Sequence, residues 1–163
     1  MKIRHFLLLV VVLMSLVAFG CAPARSKMDY LASGGYGEVS GEMNGMEFSA
    51  LVEISPGGES IRVEYLAPAS LCGLTVTKNK EDCKLQLGEI CSVCDETEIA
   101  GFLRPVTSFL PYSDAKSVQK EGENTVLTFP SGCVLILSPK GEPLAFKSED
   151  MEMRVVWWQS TKE

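Results

Sequence analysis

Between Tyr36 and Trp158, apolar and polar residues alternate one for one through run after run, and this period of two constrains the fold more than any other feature. Val39, Gly41 and Met43 alternate with Ser40 and Glu42. Phe48, Ala50, Val52 and Ile54 share one face while Glu47, Ser49 and Glu53 take the other. Ile61, Val63 and Tyr65 oppose Arg62 and Glu64 in the same way. Successive side chains of a strand point to opposite faces, so each run reads as a strand with one face in a core and one in water. Asn44-Gly45, Pro56-Gly57-Gly58 and Asn79-Lys80 punctuate the runs with turn residues. Connections this short join antiparallel neighbours, because a parallel crossover needs about a dozen residues or more. The expectation is an antiparallel meander.

The pattern breaks between Cys91 and Tyr112, where Ile99, Phe102, Leu103, Val106, Phe109 and Leu110 recur at three- and four-residue spacing. That spacing is helical, and Asp95, Glu96 and Glu98 stand where a helix N-terminus favours negative charge. Pro105 interrupts the segment, so one or two short helices are expected rather than a straight one. Strand character returns at Thr125–Phe129, Cys133–Leu137, Leu144–Lys147 and Met151–Trp158. In the last run Met151, Met153, Val155 and Trp157 are expected on the core face, with Glu152, Arg154 and Trp158 opposite. The sum is a mainly β chain of about nine strands with one short helical insertion. No internal repeat or low-complexity tract is present.

The N-terminus carries a different signal. Lys2 and Arg4 precede fourteen uncharged residues, Phe6 to Phe19, then Gly20 and Cys21. A positive start, a short apolar stretch and small residues at a cleavage point describe a secretory signal peptide, and the run falls short of the roughly 20 residues of a membrane span. The cysteine directly after Gly20 resembles the lipobox of bacterial lipoproteins, in which that residue receives diacylglycerol and becomes the new N-terminus. Ala18-Phe19-Gly20 and Ala22-Pro23-Ala24 also fit the small-x-small rule of ordinary signal peptidase, so lipidation at Cys21 and plain secretion both stay open. Either route places the chain outside the cytoplasm, and the lipidated one attaches it to the bacterial cell membrane or outer membrane. The expected organisation is a lipoprotein signal peptide over 1–20, a lipid-anchored tether over 21–35 and a single domain over 36–163.

Charge and composition narrow the function. The full chain carries −6, and loss of Lys2 and Arg4 with the signal leaves −8. An acidic domain is a poor nucleic-acid partner and has no polybasic patch for anionic lipid heads. His5, the only histidine, leaves with the signal, which removes Ser-His-Asp and Cys-His catalysis and every histidine-containing zinc site. Five cysteines remain after Cys21: Cys72, Cys83, Cys91, Cys94 and Cys133. Their odd number leaves at least one unpaired within the chain, and the pairing of the others is open. Cys91-Ser92-Val93-Cys94 is the sharpest motif, readable as a disulfide or thiol pair, a redox site or part of a metal site. The neighbouring acids and the absence of an alternating βαβ pattern favour the structural reading. No metal site and no cofactor is expected.

The run of hairpins from Gly37 to Gly88, the Phe/Leu helical insertion at 99–110, the strands returning to Trp158 and the segment Val63-Glu64-Tyr65-Leu66-Ala67-Pro68 together resemble the outer-membrane lipoprotein carrier and receptor family, the Lol proteins. The resemblance covers residues 36–158 and lies in layout. It implies an incomplete, curved antiparallel β-barrel, a half-barrel wrapped around helices that plug its open side, and no catalytic residues. It also implies a non-enzymatic groove for a hydrophobic ligand, an acyl chain or a lipoprotein. Phe48, Val52, Ile61, Val63, Tyr65, Phe102, Phe109 and Trp157 are its candidate lining. The expected partners are the membrane, through the anchor, and such a ligand. Two other readings stay open: an envelope lipoprotein that binds protein and has no ligand, and a thiol-disulfide enzyme using Cys91 and Cys94.

Overall fold

The computed structural model describes residues 28–110 and 114–161, so the signal peptide and Cys21 lie outside the described residues. The described part opens with a one-turn helix, α1 (Asp29–Ser33). Six strands follow: β1 (Gly35–Met43), β2 (Met46–Ile54), β3 (Ile61–Ala67), β4 (Leu74–Lys78), β5 (Cys83–Leu87) and β6 (Ile90–Cys94). Helix α2 (Glu96–Thr107) then leads to β7 (Ser117–Glu121), β8 (Asn124–Thr128), β9 (Val134–Leu137), β10 (Pro143–Lys147) and β11 (Met151–Ser160). All eleven strands form one antiparallel sheet in the order β6-β5-β4-β3-β2-β1-β11-β10-β9-β8-β7. The chain therefore starts at the centre, meanders out to the edge at β6, passes through α2 to the other edge at β7 and returns to pair β11 with β1. The sheet curls without closing, since β6 and β7 are joined by the helix and not by a ladder. This is the antiparallel meander that the alternation predicts, curled into the incomplete barrel with a helical insertion that the resemblance implies.

Local chemistry explains the turns. Asn44 and Gly45 both have positive φ, 52° and 79°, the type I′ geometry whose twist matches the flanking strands β1 and β2. Three irregularities in the ladders supply curvature. Register slips by one residue between Ser49 and Ala50 against β3, between Pro143 and Ala145 against β9, and between Glu38 and Val39 against β11. The extra residues are Leu66, Leu144 and Val156, and all three are exposed apolar side chains on otherwise alternating strands. An unpaired extra residue is what a β-bulge inserts, and it bends the strand that carries it.

Helix α2 is set by its capping box. The Glu98 carboxylate accepts from the Asp95 backbone N–H at 3.2 Å while the Asp95 side chain caps the Glu98 N–H. Ile99, Leu103, Pro105 and Val106 form its buried face, which lies against β2, β3, β4 and β5. The helix runs unbroken through Pro105, so of the one or two short helices expected here a single one forms. Pro105 lies in the last turn, so one hydrogen bond, to the carbonyl of Gly101, is lost, and Gly101 is exposed to water there.

Three expectations are corrected. The described residues form eleven strands where about nine were expected: β6 falls inside the segment whose period suggests helix, and β7, Ser-Val-Gln-Lys-Glu, has too weak an alternation to declare itself. Residues 21–35 are not a tether throughout, because α1 is folded and Tyr30 is 1% exposed in the core. Trp157 is not on the core face. The bulge at Val156 inverts the parity of β11, so Trp157 turns outward and Trp158 inward.

Candidate functional site

The concave face of the sheet brings Phe48, Val52, Ile61, Val63, Tyr65 and Phe109 into one apolar core, each 4% exposed or less. Strand alternation aims the first five inward, and Phe109 enters from the turn after α2. Phe102 is half-buried on α2, with its ring edge-on to Tyr65 at 6.4 Å. Ile99, Leu103 and Val106 of α2 complete the layer over β2–β5.

Two tyrosines tie this layer together through backbone carbonyls. The Tyr65 hydroxyl donates to the Phe102 carbonyl at 2.9 Å, and burial pushes the Tyr65 pKa up to about 12. The Tyr30 hydroxyl donates to the carbonyl of Phe109, and burial likewise raises its pKa. Trp158 lies between them, edge-on to Tyr30 at 6.0 Å and to Phe109 at 6.3 Å. Its ring occupies space that Gly35 leaves free, since a Cβ there would stand 2.5 Å from Trp158 Cζ2. The buried Trp158 Nε1–H has no acceptor among the described residues.

Ion pairs hold the two ends of α2. At its start Lys78 reaches Glu96 at 2.5 Å. At its end the Arg104 guanidinium grips Asp150 with two bonds of 2.5 and 2.7 Å. That guanidinium, helped by the Ser148 hydroxyl at 2.9 Å, holds the Asp150 carboxyl well below the usual carboxylate range. Both pairs are open to water, where such contacts stabilise little. Apolar packing therefore carries the helix, and the charges set where it ends.

Beside the Arg104–Asp150 pair a cleft of about 980 Å³ opens between the β1–β2 turn and the β10–β11 turn. Its apolar lining residues Phe48, Phe146, Met151 and Met153 are core side chains, each 7% exposed or less; Glu42, Lys147, Asp150 and Arg154 are among its charged residues. The size lies at the upper end of the roughly 300–1,000 Å³ of small-ligand pockets. Of the eight lining candidates only Phe48 borders this cleft. Val52, Ile61, Val63, Tyr65 and Phe109 are packed in the core that α2 covers, and Phe102 sits at its edge. Trp157 is corrected: it is 40% exposed on the convex face, edge-on to Tyr36 at 5.5 Å, and its Nε1–H donates to Glu38 at 3.2 Å. Met151 and Met153 were legible as core residues but not as a cleft wall, which requires β2, β10 and β11 to meet.

The Cys91/Cys94 motif lies on β6, its two cysteines three positions apart, so the side chains leave opposite faces of the sheet. It is not a thiol pair, and this also removes the thioredoxin-like geometry, in which both thiols flank one helix start. No group of three or more His, Cys, Asp or Glu among the described residues is arranged to hold a metal ion. Among the described residues no helix is long and apolar enough to cross a membrane.

No protein-family model matches the sequence, and no curated protein matches it. Among solved structures, the chain is similar to an uncharacterized conserved protein from Thermus thermophilus, with a TM-score of 0.52 and 19% identity over 83% of each chain. It is also similar to a LolA superfamily protein from Nitrosomonas europaea, with a TM-score of 0.43 and 8% identity over 84% of this chain and 91% of the other. The first likeness establishes a shared fold and nothing further; the second is looser still.

Proposed function

We propose that this chain is an extracytoplasmic, non-enzymatic binding or carrier protein for one hydrophobic ligand of acyl-chain type, tethered to the membrane by lipid on Cys21. One observation carries the ligand reading. The concave apolar face of an eleven-stranded sheet is left unclosed and is covered over β2–β5 by a single twelve-residue helix, beside a cleft walled by Phe48, Phe146, Met151 and Met153. An acyl chain would lie along those four side chains, beside the end of α2 that the exposed Arg104–Asp150 pair holds. Methionine suits such a wall, being unbranched, polarizable and tolerant of varied shapes. The tether rests on the charged start, the short apolar run and the Gly20-Cys21 junction. Two acyl chains on Cys21 would anchor it stably, where one would not.

The test is lipid extraction of the protein purified from bacterial membranes, with mass spectrometry of the extract, beside titration of the delipidated protein with a fluorescent fatty acid. The reading expects bound lipid and saturable uptake weakened by Met153→Asp. An empty extract together with no uptake by a correctly folded chain removes it. That outcome favours the second reading, an envelope lipoprotein that binds protein. Two observations support it: the residues under α2 are tightly packed, and Leu87, Ile90 and Val93 stand exposed on the free edge hairpin. The intact mass of the membrane-purified protein beside Cys21→Ala tests the anchor separately.

A further inference from the structure

The edge hairpin β5–β6 juxtaposes two thiols that do not form the Cys-x-x-Cys motif. Leu87 pairs with Ile90 across the two-residue turn Gly88-Glu89, and Gly88 has the positive φ, 59°, of a type II′ turn. The residues flanking such a turn are a hydrogen-bonded pair, and hydrogen-bonded and open pairs then alternate down the ladder. Four steps from the turn Cys83 stands directly opposite Cys94, again as a hydrogen-bonded pair. Residues so paired share a face with Cα atoms about 5.5 Å apart, within the disulfide range of about 4.4–6.8 Å, and their Cβ atoms, about 5.5 Å apart, must close by roughly 1 Å for the bond to form. The Cys94 sulfur is 4.0 Å from the Cys83 carbonyl oxygen, and both thiols are free. Cys91 is exposed on the opposite face of β6, and Cys72 and Cys133 lie on other segments.

We infer that Cys83 and Cys94 are a modification site, where a disulfide-bearing oxidant closes a cross-strand disulfide that staples the edge strand β6 to β5. Cys94, half-buried, is the entry point. Its thiolate attacks one sulfur of the oxidant's disulfide and releases one thiolate. The Cys83 thiolate then attacks the Cys94 sulfur and displaces the second. One S–S bond breaks in the oxidant and one forms in the protein; two electrons pass to the oxidant, and the two protons of Cys83 and Cys94 end on its released thiols. Burial pushes the Cys83 thiol up, and the charges of Glu96 and Asp82 add to this while Lys78 opposes it, so Cys94 is the better first nucleophile of the two.

The position gives the bond a purpose. Strand β6 is a free edge carrying Ile90 at 73% and Val93 at 68% exposure, and Cys94 is the last residue before the helix cap Asp95. A one-residue slip of such a strand would put every side chain on the wrong face and displace the start of α2. A covalent rung at Cys83–Cys94 forbids the slip. The inference is independent of any ligand.

The experiment uses the full wild-type chain, reduced and then incubated with oxidised glutathione, acid-quenched, alkylated, digested and mapped by mass spectrometry. The expected product has lost two hydrogen atoms, contains a peptide linked through Cys83 and Cys94, and is alkylated at Cys91. Limited proteolysis of the 83–95 hairpin should slow by at least about tenfold on oxidation. Alkylation at both Cys83 and Cys94 overturns the inference, as does a bond from either to Cys72, Cys91 or Cys133, or glutathione adducts that never resolve. A Cys91→Ser chain must still form the bond; its failure to do so when folded counts equally against it.

Discussion

Replacing Gly41 by alanine tests the account of how the two halves of the sheet join. Gly41 pairs with Met153 in the β1–β11 ladder, and a Cβ at this position would stand 2.6 Å from Met153 Cα, with the Glu152 carbonyl oxygen closer still. Nonbonded carbons rest at about 3.5–4.0 Å, so one strand must retreat by roughly 1 Å, and the obstructing atoms include backbone that no rotamer can move. Such a retreat strains ladder bonds whose N···O optimum is about 2.9 Å. Overpacking costs about 1–3 kcal/mol, and a backbone clash belongs at the top of that range. At roughly 2–4 °C per kcal/mol for a domain of about 150 residues or more, a cost of about 3 kcal/mol corresponds to a fall in Tm of about 10 °C. The control is Gly101→Ala, which adds the same methyl group on the exposed side of α2, where a Cβ meets nothing within 4 Å. There helix propensity should raise stability by about 1 kcal/mol. Thermal melts followed by circular dichroism read both. A Gly41→Ala chain melting within a degree or two of the wild type, or two substitutions with the same sign, would refute the reasoning.

Two further perturbations address the core beneath the helix. Trp158→Ala should destabilise by about 3–5 kcal/mol, whereas Trp157→Ala on the convex face should change stability by less than about 1 kcal/mol; urea midpoints that reverse this order would show the parity of β11 to be wrong. Tyr65 carries an alkaline signature, since its folded pKa is raised above the unfolded value of 10.0. The stability it contributes is complete below pH 10 and is lost as pH rises toward about 12, because the unfolded chain releases the proton first. Tyr65→Phe should therefore flatten the alkaline limb of the stability profile. At neutral pH it should cost about 1 kcal/mol through loss of the hydrogen bond to the Phe102 carbonyl, and an unchanged alkaline limb would contradict the burial of the hydroxyl.

Much of the architecture is local and was readable from the chain alone. Alternation of Val39-Gly41-Met43, of Phe48-Ala50-Val52-Ile54 and of Ile61-Val63-Tyr65 reports which face is buried, because side-chain direction in a strand follows from backbone geometry. Asn44-Gly45 specifies its turn because both residues tolerate positive φ. The acids at 95–98 and the apolar spacing from Ile99 to Val106 specify α2, since capping and amphipathicity act within a few turns.

What escaped the sequence depends on partners far along the chain. The bulge at Val156 exists because β11 must pair with β1 across a curled sheet, and nothing near Val156 announces it; one extra residue exchanged the places of Trp157 and Trp158. Tyr30 stands in a segment with the composition of a tether, and it is core only because Phe109 and Trp158 come to meet it. The Cys-x-x-Cys spacing drew attention to Cys91 and Cys94, while the pairing that matters, Cys83 with Cys94, is a property of hairpin register. The cleft is likewise no one segment's property: Phe48, Phe146, Met151 and Met153 lie on β2, β10 and β11, brought together by the β1–β11 junction. Periodicity and turn chemistry are short-range and survive in the sequence; which faces meet, and which side chains they bring together, is decided only when the chain returns to its own first strand.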